Sequence, residues 1–224
     1  MGVDGWRGGW VGARVGPGVD RVEWMLLPDG AAVLAVEAAI TAIDIPMGLP
    51  ESGSRGCDVV ARMTLCGAGS TVFPAPVRPV LHCRTHAEAL EMLRGRGRTL
   101  MSAQAFGLVR KIKDIDDVLM PAMQDRVVEV HPELSFRRLA GVGRMPRKKT
   151  AAGVAVRLEA LRRWLPSVDR ALADVPEPVP IDDALDALAC AWTAQQMQAR
   201  RFERLGDGDR DMRGLLMQII DPRP

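Results

Sequence analysis

The first fifty residues constrain the fold most, because they set strands and a crossover in order before the helix-rich remainder begins. Val3-Asp4-Gly5-Trp6 reads as the end of a strand, and Gly8-Gly9 as a turn. Trp10 to Val15 then reads as a second strand and Arg21 to Leu27 as a third, joined through Gly16-Pro17-Gly18. That is a short antiparallel meander. Ala31 to Ala39 is rich in helix formers. Thr41-Ala42-Ile43-Asp44-Ile45 is an apolar run closed by Pro46 and Gly48, a buried strand with an acidic residue at its exit. Strand, helix and strand in that order imply a parallel crossover added to the meander.

The remainder reads more coarsely. Pro50 to Leu81 is loop-like, with many Gly and Pro. Ala87 to Leu93 is helical, and Ser102 to Met120 is a long helix or helix pair, with Phe106, Val109, Ile112 and Ile115 spaced by three. Arg126 to His131 carries a β-rich run that stops at Pro132. Arg144 to Lys149 is a basic loop, and Ala151 to Leu165 is helical until Pro166. Pro176, Pro178 and Pro180 mark a rigid linker. The last clear helix runs from Asp182 to about Glu203, with Leu185, Leu188 and Trp192 on its buried face. The tail beyond Gly206 holds the apolar residues Leu215, Leu216, Met217, Ile219 and Ile220, which would suit a homodimer contact or pack back on the domain. We read a single domain over residues 1–224, with residues 50–124 as an insertion or cap.

Composition excludes several classes. At 47% apolar and 26% charged residues the chain is globular rather than disordered. No apolar run approaches the roughly 20 residues that span a bilayer, and no signal-peptide pattern opens the sequence, so no membrane partner and a cytoplasmic location are expected. The four cysteines, Cys57, Cys66, Cys83 and Cys190, form no C-x-x-C pair and read as free thiols. A zinc site from Cys57, Cys66, His82 and His86 would have irregular spacing. Net charge is +2, yet from Arg126 to Arg170 eleven Lys or Arg face four Asp or Glu. A block of that kind can meet phosphates or simply be solvated.

Five acidic residues stand where chemistry would use them. Asp4 lies on the first strand, Asp44 at the exit of the strand after the crossover, Glu129 on a later strand, and Asp183 with Asp186 on the last helix. An Asp in an apolar strand is costly unless it is paired or coordinated. Several such carboxylates at one end of a sheet repel one another, and divalent cations relieve that repulsion. Mg2+ and Mn2+ prefer oxygen ligands, and two ions about 4 Å apart suit phosphoryl chemistry. Asp183 and Asp186 lie about 60° apart on one helical flank, where small residues (Ala187, Cys190, Ala194) would let that flank approach the sheet.

At these motifs the chain resembles the domain-of-unknown-function 429 family, whose members are predicted to be RNase H-like nucleases. The resemblance rests on Gly2-Val3-Asp4-Gly5 with Gly8-Gly9-Trp10-Val11, on Ile43-Asp44-Ile45-Pro46-Met47-Gly48-Leu49-Pro50, and on Arg55-Gly56-Cys57-Asp58. It continues through Gln104, Phe106-Gly107-Leu108, Glu129-Val130-His131-Pro132-Glu133, Lys148-Lys149-Thr150 with Gly153, and Asp182-Asp183-Ala184-Leu185-Asp186-Ala187. It implies an α/β, RNase H-like mixed sheet, three antiparallel strands followed by parallel ones, with helices on both faces. It further implies that Asp4, Asp44, Asp183 and Asp186 hold Mg2+ or Mn2+, with Glu129 an addition. Trp6 departs from the pattern, where a small residue is expected.

The remaining motif residues have candidate roles. His131 would serve as a general base or proton shuttle, or as a hydrogen-bonded structural residue. Lys148 and Lys149 would contact phosphates, or equally be solvated loop charges. Arg55, Arg62 and Arg78 would line the site, or equally pair with structural carboxylates. Gln104 would position substrate, or have a simple surface or packing role. The expected activity is metal-dependent hydrolysis of a phosphodiester in nucleic acid or in a small phosphoester. The alternatives are ATP-dependent phosphotransfer of the actin-like or sugar-kinase type, and a non-catalytic module that binds nucleic acid or protein.

Overall fold

The computed structural model describes residues 1–16, 18, 21–65, 72–95 and 101–224. Its centre is a five-stranded sheet in the order β3-β2-β1-β4-β5. The strands are β1 (Gly2–Trp6), β2 (Gly9–Val15), β3 (Val22–Leu27), β4 (Thr41–Ile43) and β5 (Val127–Glu129). The first three pair antiparallel, and β4 and β5 join parallel to β1 and to each other. The meander and the crossover expected from the sequence are both present.

Side-chain alternation assigns the two faces. Val3, Trp10, Ile43 and Val127 enter one cluster. Helix α1 (Gly30–Ala35), α3 (His86–Gly95) and α5 (Val109–Asp116) cover it. The helices of residues 50–124 therefore supply part of one of the two layers over the sheet, beside α1. Val11 and Ala13 face the other way, under α7 (Ala151–Trp164), α8 (Val168–Ala173) and α9 (Ile181–Gln198). Each large aliphatic side chain buried in these layers contributes about 1.5–3 kcal/mol.

Helix α9 is buried over most of its circumference, from Ala184 to Ala194. It lies directly on β1. A Cβ added at Gly2 would fall 2.0 Å from Ala191 N and 2.1 Å from Ala187 O. Glycine at position 2 and the alanines of α9 together permit that approach, and they set the register of α9 against the sheet.

Several elements differ from the sequence reading. Residues 50–81 contain a helix, α2 (Gly56–Thr64), stabilised by burial of Cys57, Asp58 and Ala61. Pro132 starts rather than merely stops an element. It occupies the first turn of α6 (Pro132–Ala140), where a missing N–H costs nothing. The 102–120 segment takes the helix-pair form that the sequence allowed, α4 (Ala103–Gly107) and α5, with Ser102 capping the first. Helix α9 ends before β6 (Phe202–Leu205), which pairs antiparallel with β7 (Ile219–Pro222).

The tail packs back. Leu215, Ile219 and Ile220 are buried, and Ile220 bridges in parallel to Val130 beside β5. Gln124 exchanges two hydrogen bonds with the Leu216 backbone, at 3.0 and 2.7 Å. Leu215, Ile219 and Ile220 are thereby used within the fold, while Leu216 and Met217 are partly exposed. Among the described residues no helix is long and apolar enough to cross a membrane.

Candidate metal centre

Alternation and helix placement bring three carboxylates together. Asp4 stands opposite Val11 in the β1–β2 register and so faces α9. Asp44 follows the last residue of β4, in phase with Ala42, which also packs under α9. Asp186 comes down from the second turn of α9, just ahead of the Ala187 that touches Gly2. One oxygen from each of Asp4, Asp44 and Asp186 lies within 4.8 Å of the others. Asp4 and Asp186 are buried and Asp44 is half-buried.

The electrostatics follow from this crowding. Burial first, then the charges of Asp44, Asp186 and Asp183, push Asp4 well above the usual carboxylate range. Burial, with Asp186 next among the acidic neighbours, pushes Asp44 up to about 8. Asp186 is also raised, chiefly by burial, although Lys148 opposes the shift. Ionising all three side chains in this crowding is costly, and a bound cation would offset that cost. Their oxygens are hard donors, which suit a hard divalent ion.

Asp183 stands one turn earlier on α9, half-buried and outside the three-residue group, and burial and Asp182 raise it to about 6. Lys148 reaches in from the loop before α7, with its Nζ 2.8 Å from Asp186 Oδ2. Burial works against its ammonium, but Asp186, Asp4 and Asp44 outweigh that and hold it above its ordinary range. Arg144, Arg147 and Lys149 of the same loop are exposed. Elsewhere the basic block meets internal partners. Arg137 binds Thr64 O, Arg138 binds Asp221, Arg157 binds Glu133, and Arg162 binds Asp169.

Glu129 is not in the cluster. Its two oxygens receive Arg55 Nη1 and Nη2, each at 2.7 Å, and Met47 N at 2.7 Å. Arg55 is buried and also donates to Asp58 and to the carbonyls of Met47 and Gly48. Its fork is thus filled by the protein itself. Arg78 binds Asp116 at 2.8 and 3.0 Å and also binds Asp211, which ties the tail to α5. Arg62 donates twice to Val72 O at 2.9 Å. His131 caps α6, with Nδ1 accepting from Glu133 N at 3.3 Å. Gln104 is exposed on α4.

Two groups escaped sequence reasoning. Glu133, in the first turn of α6, contributes to the raised pKa of Asp44 and of Asp186. Its position just past the C-terminal end of a parallel strand was the available signal. Lys111 of α5 binds Gly9 O and lies 4.6 Å over the Trp10 ring, within electrostatic reach of Asp4. The Trp6 indole lies over Gly8, and its Nε1 is buried with no acceptor among the described residues. Cys57, Cys83 and Cys190 are free thiols. Cys66, and with it any zinc set that needs it, lies outside the described residues.

A mixed sheet with helices on both faces and a buried trio of carboxylates defines an α/β protein with a candidate divalent-metal centre. By sequence the chain belongs to the family described as "Protein of unknown function (DUF429)", whose model matches residues 2–210. No curated protein and no solved structure matches it significantly.

Proposed function

We propose that the protein is a metal-dependent hydrolase of phosphodiester bonds, built on an RNase H-like sheet, with nucleic acid as its substrate. The observation that carries the reading is the convergence of Asp4, Asp44 and Asp186 from a central strand, its parallel neighbour and the last long helix. The strand order β3-β2-β1-β4-β5, antiparallel then parallel, supports it. The residues present fit a hard cation, since all three donors are carboxylate oxygens and the described residues place no Cys or His in the group.

Asp4, Asp44 and Asp186 would hold the ion, and Mg2+ or Mn2+ fits the donor set. The ion would supply Lewis acidity toward a phosphoryl oxygen and toward water. The protein's own part is to hold three carboxylates within reach of one ion, which on binding would displace the protons that burial and mutual repulsion favour. Asp183 and Glu133 flank the cluster, and the exposed Arg144, Arg147 and Lys149 lie on the same loop as Lys148 and suit phosphate oxygens. A phosphotransferase reading gains little from the Gly8-Gly9 turn. The Trp6 indole covers it, and Lys111 takes the Gly9 carbonyl.

The test is cleavage of single-stranded, duplex, hybrid and branched nucleic acids by wild type and Asp4→Asn, with Mg2+, Mn2+ or EDTA. Cleavage that needs metal and disappears in the variant supports the proposal. A folded protein that binds Mn2+ but cleaves none of these points to nucleotides and small phosphoesters. Absence of both metal binding and cleavage points to a non-catalytic module.

A further inference from the structure

The carboxylate cluster already holds one cation of the chain's own. Lys148 Nζ lies 2.8 Å from Asp186 Oδ2, although its side chain is 39% exposed and burial does not force it there. The backbone around it is anchored on both sides. Thr150 Oγ1 donates to Arg147 O at 2.8 Å and accepts from Gly153 N at 3.1 Å as the cap of α7. The buried Arg157 donates to Pro146 O and Gly153 O, each at 3.0 Å, while its other arm holds Glu133. A Cβ at Gly153 would lie 1.9 Å from Arg147 O, so the loop rests directly on the start of α7. This explains the Lys-Lys-Thr-x-x-Gly pattern as a mount for the Lys148 ammonium.

The charges limit what else the cluster can accept. One divalent ion together with one ammonium neutralises three carboxylates. Two divalent ions beside the same ammonium would leave excess positive charge in a buried place even with the half-buried Asp183 counted, which is costly. Glu133 does not correct that excess, because Arg157 is paired with it. We propose that Lys148 is the second cation of this site and sets its occupancy at one divalent ion per chain. Standing on Asp186, it replaces the second ion of a two-metal centre. The inference rests on the metal-binding reading above.

The experiment is calorimetric titration of Mn2+ into the full chain as wild type, Lys148→Met and Lys148→Arg, with thermal melts to establish folding. Wild type is expected to bind one Mn2+. Lys148→Met is expected to take a second ion, or to bind the first at least about tenfold more tightly, because a like charge a few ångströms away is gone. Lys148→Arg is expected to keep the wild-type stoichiometry. Should Lys148→Met fail to fold, Lys148→Gln replaces it. Mn2+ bound by the Met variant but not by wild type overturns the one-ion occupancy, because Lys148 would then exclude the divalent ion altogether. Two ions on wild type, or a Met variant identical to wild type in number and affinity, overturns the role of Lys148 while leaving a metal site in place. No Mn2+ on any variant overturns the metal reading itself.

Discussion

Replacing Asp44 by Asn should stabilise the metal-free protein, and by an amount that grows with pH. Burial and the neighbouring carboxylates raise Asp44 from 3.8 to about 8 in the folded chain. Between those values the folded state holds a proton that the unfolded state has released. Stability therefore falls as pH rises through that window, by up to about 1.4 kcal/mol per pH unit for one proton. From pH 5 to pH 7 the full cost is about 2.7 kcal/mol. Solvent reaches the half-buried carboxylate, so about half of that, roughly 1.3 kcal/mol, is the working figure. In a chain of 224 residues this corresponds to about 3–5 °C in Tm. Asparagine keeps the shape and loses the charge, and it also relieves Asp4, which Asp44 pushes upward. In EDTA, the Tm of Asp44→Asn minus that of wild type should widen by that amount between pH 5 and pH 7. A difference that is flat or narrows over the interval would refute the reasoning, because Asp44 would then be ionised at no cost.

Two further predictions follow the same electrostatics. Protons compete with a divalent ion for Asp4 and Asp44, so the rise in Tm caused by Mn2+ should be larger at pH 8 than at pH 5.5. At a hundred times its dissociation constant an ion contributes about 2.7 kcal/mol; an equal shift at both pH values, or one that persists in Asp4→Asn, would contradict the site. Glu129→Gln should cost roughly 1–3 kcal/mol, about 5 °C in Tm, because it removes one of the two carboxylates that fill the buried Arg55 fork while Asp58 stays in place. Its Mn2+ stoichiometry by calorimetry should stay that of wild type, and loss of the ion would place Glu129 among the ligands.

The sheet was legible in the sequence because its signals are local. Alternation, Gly turns and a strand–helix–strand order require only neighbouring residues. The tail was not legible, because its partners are distant. Leu216 bonds to Gln124, Asp221 to Arg138, and Ile220 bridges to Val130. Phe202 to Leu205 continues the polar and apolar mix of the helix before it, and only the pairing with β7 makes it a strand. Helix α2 was hidden for a related reason. Its Gly, Cys and two β-branched valines are poor helix formers, and the face of Cys57 and Ala61 forms a helix by packing on Leu134, Leu205 and Ile219.

The exchange of Glu129 for Glu133 has a geometric cause. In β5 Glu129 stands in register with Ile43, and paired residues share a face. Ile43 belongs to the cluster under α5, while Ala42, Val128 and Val130 pack under α9. Asp44 is in phase with Ala42, so Glu129 is one residue out of phase and projects to the opposite side of the sheet. Sequence alone shows two acids on two strand ends, and only the register separates them. The sheet thus divides two carboxylate systems by parity. On one side the chain supplies a buried Arg55, whose fork fills Glu129 and Asp58, with the Met47 and Ala75 amides completing the set. On the other it leaves three clustered carboxylates whose one ion pair among the described residues is to the partly exposed Lys148. A fold that neutralises one acidic group so fully has the means to neutralise the other. That it leaves the second group with raised pKa values and, among the described residues, one paired ammonium is what makes that group a candidate for a metal ion.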